Sequence, residues 1–132
     1  MNFEITAEQE MMRESFARLF DDHLTPERLR ANEQVGFDAA LWGEMAELGA
    51  FLLRVPEARD GLGLGTFDAA VLMEEVGRTL PSGPIAETLL AARLIAMLGD
   101  SAFDEVLAAV VAGERVASLA PCDVHTAARQ FV

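Results

Sequence analysis

A glycine-rich run is the feature of the sequence that most resembles a ligand site. It reads Gly61-Leu62-Gly63-Leu64-Gly65 and stands directly before a segment with helical periodicity. Backbone N–H groups at a helix N-terminus can bind an anion, which makes phosphate binding one interpretation. The G-x-G-x-G spacing is not that of a dinucleotide-binding fingerprint, however, and no clear strand precedes the run. We therefore favour a structural turn and keep anion binding as the alternative.

Two adjacent carboxylates, Glu74 and Glu75, are the next candidates for chemistry. Consecutive positions of a helix point roughly 100° apart, so the two groups do not converge as an acid–base pair. Either carboxylate can instead be a buried hydrogen-bonding group near Arg78, which lies at i+4 from Glu74. We expect a structural or solvated role for both.

Two further clusters contain residue types that bind metals or act as nucleophiles. Asp21, Asp22 and His23 are consecutive, and three successive helix residues cannot share one ion well. Cys122 is the single cysteine of the chain, which excludes an intrachain disulfide. His125 lies close to it, but a nucleophile and its base usually converge from distant segments. The sequence therefore assigns no catalytic residue and no metal ligand.

Composition and charge limit the classes of partner. The chain has 132 residues, is 52% hydrophobic and 24% charged, and suits one globular domain. Its net charge of −12 argues against binding to nucleic acid or to an anionic membrane, since both are polyanions. All ten basic residues are arginine, which excludes lysine chemistry. Without a signal sequence or an apolar run of about 20 residues, the prediction is a cytoplasmic protein.

The elements that must position these residues are helices as far as about residue 113. Thr6 and Gln9 form a capping box at the start of the first helix, and Gly49 stands where a left-handed residue ends the second. The fourth helix, Ile85 to Leu98, is apolar almost all round, so we expect it to be central and deeply buried. The predicted helices cover residues 7–23, 38–48, 67–79, 85–98 and 101–112, and residues 26–36 are a short helix or a loop.

The character of the sequence changes after Gly113. Residues 116–120 alternate like a strand, and Pro121 ends the run. A single strand leaves its backbone groups unpaired and is not stable alone. The sequence thus predicts an all-α domain over residues 1–113, an orthogonal bundle of about five helices, followed over residues 114–132 by the first strand of a truncated β domain.

A series of short stretches follows a fixed order along the chain: Trp42 to Gly49, Val55 to Glu57, Asp60 to Leu64, Met73 to Arg78, Leu98 to Asp100, and Gly113-Glu114. In this order and spacing the stretches resemble the N-terminal helical domain of the acyl-CoA dehydrogenase family. No single motif is specific, but their order and spacing together are, and they extend over essentially the whole chain. Two departures stand out: Arg59-Asp60-Gly61 replaces the family's usual Tyr-Gly-Gly, and residues 121–125 do not match its Thr-Glu-Pro segment.

The resemblance implies an oxidoreductase that contains FAD and desaturates acyl-CoA thioesters, with electron-transfer flavoprotein or a similar acceptor and an oligomeric assembly. In most members the catalytic glutamate lies far downstream, so no residue of this chain is assigned to it. We expect the FAD and the phosphates of CoA to be held by other domains, because this chain is acidic. The segment is then inactive alone. The alternative is a noncatalytic helical partner, or interaction module, of a heteromeric dehydrogenase.

The resemblance also implies that the fourth helix forms part of the wall of the acyl-chain pocket. Ala86, Leu90 and Leu94 share one face of that helix by i, i+4 spacing. We predict that these three residues contact the acyl tail of the substrate. Packing in the core of the bundle is an equally open interpretation of the same pattern.

Overall fold

Six α-helices form most of residues 4–119, the part of the chain that the structure, a computed structural model, describes. Of the two alternatives for residues 26–36, a short helix or a loop, the helix is correct, and it raises the count above the predicted five. No helix within this range is long and apolar enough to cross a bilayer. The helices are α1 (Ala7–His23), α2 (Pro26–Glu33), α3 (Ala39–Glu47), α4 (Thr66–Thr79), α5 (Ile85–Leu98) and α6 (Asp104–Val111), with 3-10 helices at Ala50–Leu52, Glu57–Arg59 and Ser101–Phe103.

Capping side chains explain where the first helices begin and end. The predicted capping box is confirmed, since the Gln9 backbone N–H donates to Thr6 Oγ1 over 3.2 Å and the Thr6 N–H donates to Gln9 Oε1 over 3.0 Å. Asp38 caps α3 by accepting from the Leu41 N–H. Gly49 follows α3 at a φ of 85°, the left-handed conformation that its position predicts.

The larger core cluster lies among α1, α3 and α4. Helix α1 packs against α4 and α3. Trp42 is central, and its ring lies 4.5 Å from that of Phe51 and 5.3 Å from that of Phe37, measured between centroids. The buried members of this cluster are Phe16, Phe20, Leu41, Trp42, Met45, Ala46, Ala50, Phe51, Leu53, Leu72, Ile85 and Leu89.

Helix α5 joins this cluster to a second, smaller one. Its first turns contribute Ile85 and Leu89 to the larger cluster, and its later turns contribute Ala92 and Ala96 to the smaller. In the smaller cluster those alanines meet α6 and Val55. One side of α5 therefore contributes to both clusters, which fixes the direction in which its other side faces.

The strand predicted for residues 116–120 does not form in the part of it that the structure describes. Residues 116–119 have no regular secondary structure, and Ala120 lies outside the described residues. A strand requires a partner for its backbone groups, and residues 4–119 contain none. The Ala117 carbonyl instead accepts a hydrogen bond from Thr88 Oγ1 over 2.6 Å. The all-α class is confirmed, and the assignment of residues 114–132 to an incomplete β domain stays a prediction.

Candidate functional site

The side of α5 that faces away from the bundle is almost entirely apolar and exposed. Leu90, Leu94, Met97 and Leu98 are 53%, 49%, 61% and 64% exposed, and Ala86 is half-buried. At roughly 100° per residue, these five residues and Glu87 fall within about one third of the helix circumference. We call this surface, formed by Ala86, Glu87, Leu90, Leu94, Met97 and Leu98, the outer face of α5.

The exposure of the outer face corrects the expectation that this helix is deeply buried. Only the opposite side, which carries Leu89, Ala92 and Ala96, is in the core. The reason is that α5 packs against α6 and the 3-10 helix Ala50–Leu52 on that one side. Elsewhere in residues 4–119 no element covers the leucines of the outer face. A helix that is apolar all round is expected to be covered on both sides. The described residues cover only the inner side of α5.

Two hydrogen bonds fix the rotation of α5 about its axis. Thr88 is fully buried and donates to the Ala117 carbonyl. The Arg93 guanidinium donates from Nη1 to the Arg54 carbonyl over 3.1 Å. Thr88 holds the helix from its inner side, and Arg93 holds it from the flank beside Ala86. The outer face is consequently presented by a helix whose orientation is anchored, and not by a loop.

The predicted substrate-contacting residues lie together on this face. Ala86, Leu90 and Leu94 follow one another along it, as their i, i+4 spacing predicts. The two leucines are about half exposed, so packing within residues 4–119 does not account for their apolar character. Met97 and Leu98 continue the same surface and were missed. The same helical arithmetic would have found them, because residue 97 follows Leu94 by three positions and residue 98 follows it by four.

The glycine-rich run is a structural turn whose backbone donors are already used. Each of its five N–H groups has an acceptor within the protein, so none is left to hold an anion. Its tight packing also requires glycine, since a Cβ at Gly61 would lie 2.1 Å from the Val55 carbonyl oxygen. The bonds run from Gly61 to Pro56 O (3.1 Å), Leu62 to Leu52 O (3.1 Å), Gly63 to Val55 O (2.8 Å), Leu64 to Leu53 O (2.9 Å) and Gly65 to Asp68 Oδ2 (2.7 Å).

The paired carboxylates of α4 have separate environments. Glu74 is exposed, whereas Glu75 is buried and accepts from Arg78 Nε over 2.7 Å. The same guanidinium donates to Asp21 on α1 over 3.0 Å, and these hydrogen bonds, to Glu75 first and then to Asp21, raise the pKa of Arg78. The hydrogen-bonding role predicted for one of the pair therefore belongs to Glu75, at i+3 from the arginine. It links α4 to α1.

Few cationic side chains of the described residues are left to bind a ligand such as the pyrophosphate of a flavin. Phosphate oxygens require free cationic or N–H donors. Six of the nine arginines in residues 4–119 donate hydrogen bonds to carboxylates or carbonyls of the protein itself. Within residues 4–119 no three His, Cys, Asp or Glu side chains are grouped for a metal. Cys122 and His125 lie outside the described residues. The outer face thus remains the candidate surface, and it suits an apolar ligand.

Comparison with known proteins identifies similar chains. A family model for "Acyl-CoA dehydrogenase, N-terminal domain" matches residues 6–114. Benzylmalonyl-CoA dehydrogenase of Aromatoleum aromaticum is 30% identical over 90% of this chain and 33% of its own length. Acyl-CoA dehydrogenase IpdE2 of Mycolicibacterium smegmatis is 39% identical over 66% of this chain and 29% of its own length. The solved Tcur3481-Tcur3483 steroid ACAD G363A variant is 36% identical with a TM-score of 0.75, covering 86% of this chain and 32% of that one. The chain therefore spans about a third of the length of these relatives.

Proposed function

The chain belongs to the acyl-CoA dehydrogenase family, and on that premise we propose that it serves as the N-terminal helical domain of an FAD-dependent enzyme. The proposed reaction is desaturation of an acyl-CoA thioester between its α- and β-carbons. In this enzyme the outer face of α5 forms one wall of the pocket for the acyl tail. Ala86, Leu90 and Leu94 contact that tail.

The observation that carries this proposal is the exposed apolar surface on an anchored helix. Burial of a methylene group stabilises a complex by about 0.8 kcal/mol, so an acyl tail laid along the face gains affinity with each carbon. From Ala86 to Leu94 the helix rises about 12 Å, which is the length of a medium acyl chain. A helix surface covers only one side of a ligand, and binding pockets enclose most of theirs. Other domains must supply the opposite wall.

The chemical groups of the reaction belong, in this proposal, to those other domains. FAD would accept a hydride there, and a carboxylate there would remove the α-proton. The 132-residue chain is then inactive by itself, because the flavin and the base lie in those other domains. Electron-transfer flavoprotein or a similar acceptor, oligomeric assembly and a cytoplasmic location complete the proposal.

Enlarging a leucine of the outer face tests the pocket wall. The native flavoprotein assembly carrying Leu90→Phe should lose activity toward long straight-chain acyl-CoA thioesters by about tenfold and retain activity toward short ones, because the ring occupies space needed by the tail. The measurement is kcat/KM across a chain-length series. Leu48→Phe is the matched control, since Leu48 is 43% exposed but lies at the end of α3. An unaltered chain-length profile for Leu90→Phe contradicts the proposal.

The flavin content of the purified chain tests the claim of inactivity. The 132-residue chain should be colourless and without dehydrogenase activity, whereas the native assembly should be yellow and active. If the chain alone desaturates a thioester, the proposed division of labour is wrong. If it purifies with a second polypeptide that contains a complete set of domains and all the flavin, the chain is instead the noncatalytic partner of a heteromeric enzyme.

A further inference from the structure

Helix α5 has three polar side chains, and only two of them have a structural role in the described residues. Thr88 is buried and donates to the Ala117 carbonyl. Arg93 donates to the Arg54 carbonyl. Glu87 is exposed and makes no hydrogen bond or ion pair with any residue from 4 to 119. It is also the single charged residue of the outer face, so a ligand that covers this face meets its carboxylate.

We propose that Glu87 selects acyl groups that carry a hydrogen-bond donor, such as a hydroxyl, on the part of the tail that lies over the first turn of α5. This inference rests on the proposed function, since it assumes that the acyl tail occupies the outer face. It names the substrate class more closely. An acyl group with a hydroxylated tail is favoured, and an acyl group with a carboxylate in the same place is disfavoured.

The position of Glu87 on the helix places it within reach of such a tail. It follows Ala86 by one residue and precedes Leu90 by three, and residues three apart are neighbours on a helix surface. A tail in contact with Ala86 and Leu90 therefore passes beside the Glu87 carboxylate. On this face the neighbouring side chains Ala86, Leu90 and Leu94 are apolar, and none of them can donate a hydrogen bond to it.

The chemistry of a covered carboxylate gives the direction of the selection. Methylene groups laid over an unpaired charge remove its water without replacing the lost hydrogen bonds, which opposes binding. A hydroxyl in the same place donates a charge-assisted hydrogen bond, which is among the stronger kinds in proteins. A second carboxylate is repelled, and such repulsion is a usual means of rejecting the wrong ligand.

A glutamate in the first turn of a helix also interacts favourably with the helix dipole. That role affects helix stability and does not depend on the substituents of a ligand. Measuring the ratio of affinities for two ligands therefore separates selection from helix stabilisation. Glu105 is the matched control, because it too is an exposed acidic residue in the first turn of a helix, α6.

The test uses the native flavoprotein assembly and unreactive CoA thioethers as probes. The probes share one decyl chain and are of three kinds: an unsubstituted chain, a series with one hydroxyl placed at successive positions, and a chain with a terminal carboxylate. Calorimetry gives each dissociation constant. The unchanged protein should bind the best hydroxylated probe about tenfold more tightly than the unsubstituted one. Glu87→Gln should reduce this ratio to about threefold and should bind the carboxylate probe more tightly than the unchanged protein does. Glu87→Leu should invert the ratio, so that the unsubstituted probe binds more tightly. Glu105→Gln should leave the ratio unchanged.

Each outcome decides between the inference and the function on which it rests. If Glu87→Gln and Glu87→Leu leave the affinity ratios unchanged while Leu90→Phe alters the chain-length profile, the pocket wall stands and selection by Glu87 is wrong. If neither Glu87 nor Leu90 affects any probe, the acyl tail does not occupy the outer face and both are wrong. A loss of thermal stability without a change in the ratios assigns Glu87 to the helix dipole alone and also overturns the inference.

Discussion

The glycine-rich turn and the outer face of α5 each have a role that differs from the one their residue types indicate. The turn, residues 61–65, has the composition of a ligand loop, yet all five of its backbone donors bond to the protein itself. The outer face has the composition of a core, yet its four large apolar side chains are exposed. The residues that resemble a site hold the fold together, and the residues that resemble the core are available to a ligand.

In these two regions the surface that is available to a ligand, and not the type of residue, identifies the candidate site. A backbone N–H that already has an acceptor cannot also hold a phosphate at full strength. A leucine with half its surface exposed can still contribute about half of its hydrophobic stabilisation when a ligand or another domain buries it. Both conclusions require the three-dimensional structure, because neither the hydrogen-bond partner nor the exposure of a residue follows from its identity.

The largest effect expected from this comparison is at Gly61. Replacing it by alanine would place a Cβ 2.1 Å from the Val55 carbonyl oxygen, a backbone atom that cannot move aside cheaply. We expect Gly61→Ala to lower the free energy of unfolding by about 4 kcal/mol or more, as severe overpacking does. Urea denaturation followed by far-UV circular dichroism measures the effect.

Gly43→Ala is the control for this substitution. Gly43 lies inside α3, and a Cβ there would have no heavy atom within 4 Å. Alanine is the better helix former, so this variant should gain about 0.5–1 kcal/mol. If Gly61→Ala is as stable as Gly43→Ala, the turn is not packed as described, and the contrast between turn and outer face is lost.

Two adjacent leucines of α5 provide the next effect. Leu89 is 3% exposed and Leu90 is 53% exposed. In the native assembly Leu89→Ala should lower the free energy of unfolding by about 3 kcal/mol, since it leaves a cavity in the core. Leu90→Ala should lower it by less than about 1 kcal/mol if the face awaits a substrate, and should weaken binding of a long acyl-CoA instead.

Equal losses of stability for the two leucine variants have a different meaning. They would show that another protein domain covers the outer face permanently and that Leu90 is a core residue of the complete protein. The outer face would then be an interface between domains and not a ligand site. The same equilibrium unfolding measurement gives both results, and binding of a long acyl-CoA supplies the independent reading.

The fold was predictable from the sequence because its signals are local. Thr6 with Gln9, Asp38 and Gly49 mark helix ends through hydrogen bonds that span a few residues, and the structure contains each of them. The short helix α2 was left open because its charged sequence lacks an apolar stripe. Thr25 caps it and Pro26 opens it, and these two local signals were sufficient.

The site was predictable only in part, because exposure depends on which elements pack together. The i, i+4 spacing brings Ala86, Leu90 and Leu94 onto one face, as predicted, but spacing cannot say whether a face is covered. Burial of α5 was overestimated for that reason. The sequence likewise cannot show that Glu87 is the polar side chain of α5 without a partner in residues 4–119. That conclusion requires knowing that Thr88 and Arg93 bond to carbonyls distant in the sequence.

The smallest effect contrasts two carboxylates, Asp38 of the scaffold and Glu87 of the outer face. Asp38 is buried and accepts from Arg28 at 2.7 and 2.9 Å, from the Leu41 N–H and from Asn32. Hydrogen bonding from Arg28, aided by Leu41 and Asn32, lowers the pKa of Asp38 from 3.8 to about 2. The folded state therefore favours the charged form of this carboxylate, which links its ionisation to folding.

Because the pKa of Asp38 is lower in the folded state than in the unfolded state, its charge contributes fully to the free energy of unfolding above about pH 4. This contribution is lost as the pH falls toward 2. The shift corresponds to about 2 kcal/mol of stability at neutral pH. Asp38→Asn, which keeps the capping oxygen but removes the charge, should be less stable than the unchanged protein by that amount at pH 7. The difference should shrink when urea denaturation is repeated toward pH 2, whereas Glu87→Gln should alter stability little at pH 7. If the loss of stability in Asp38→Asn is the same at every pH, the role of Asp38 does not depend on its ionisation. If Glu87→Gln loses as much stability as Asp38→Asn, the outer face is part of the scaffold.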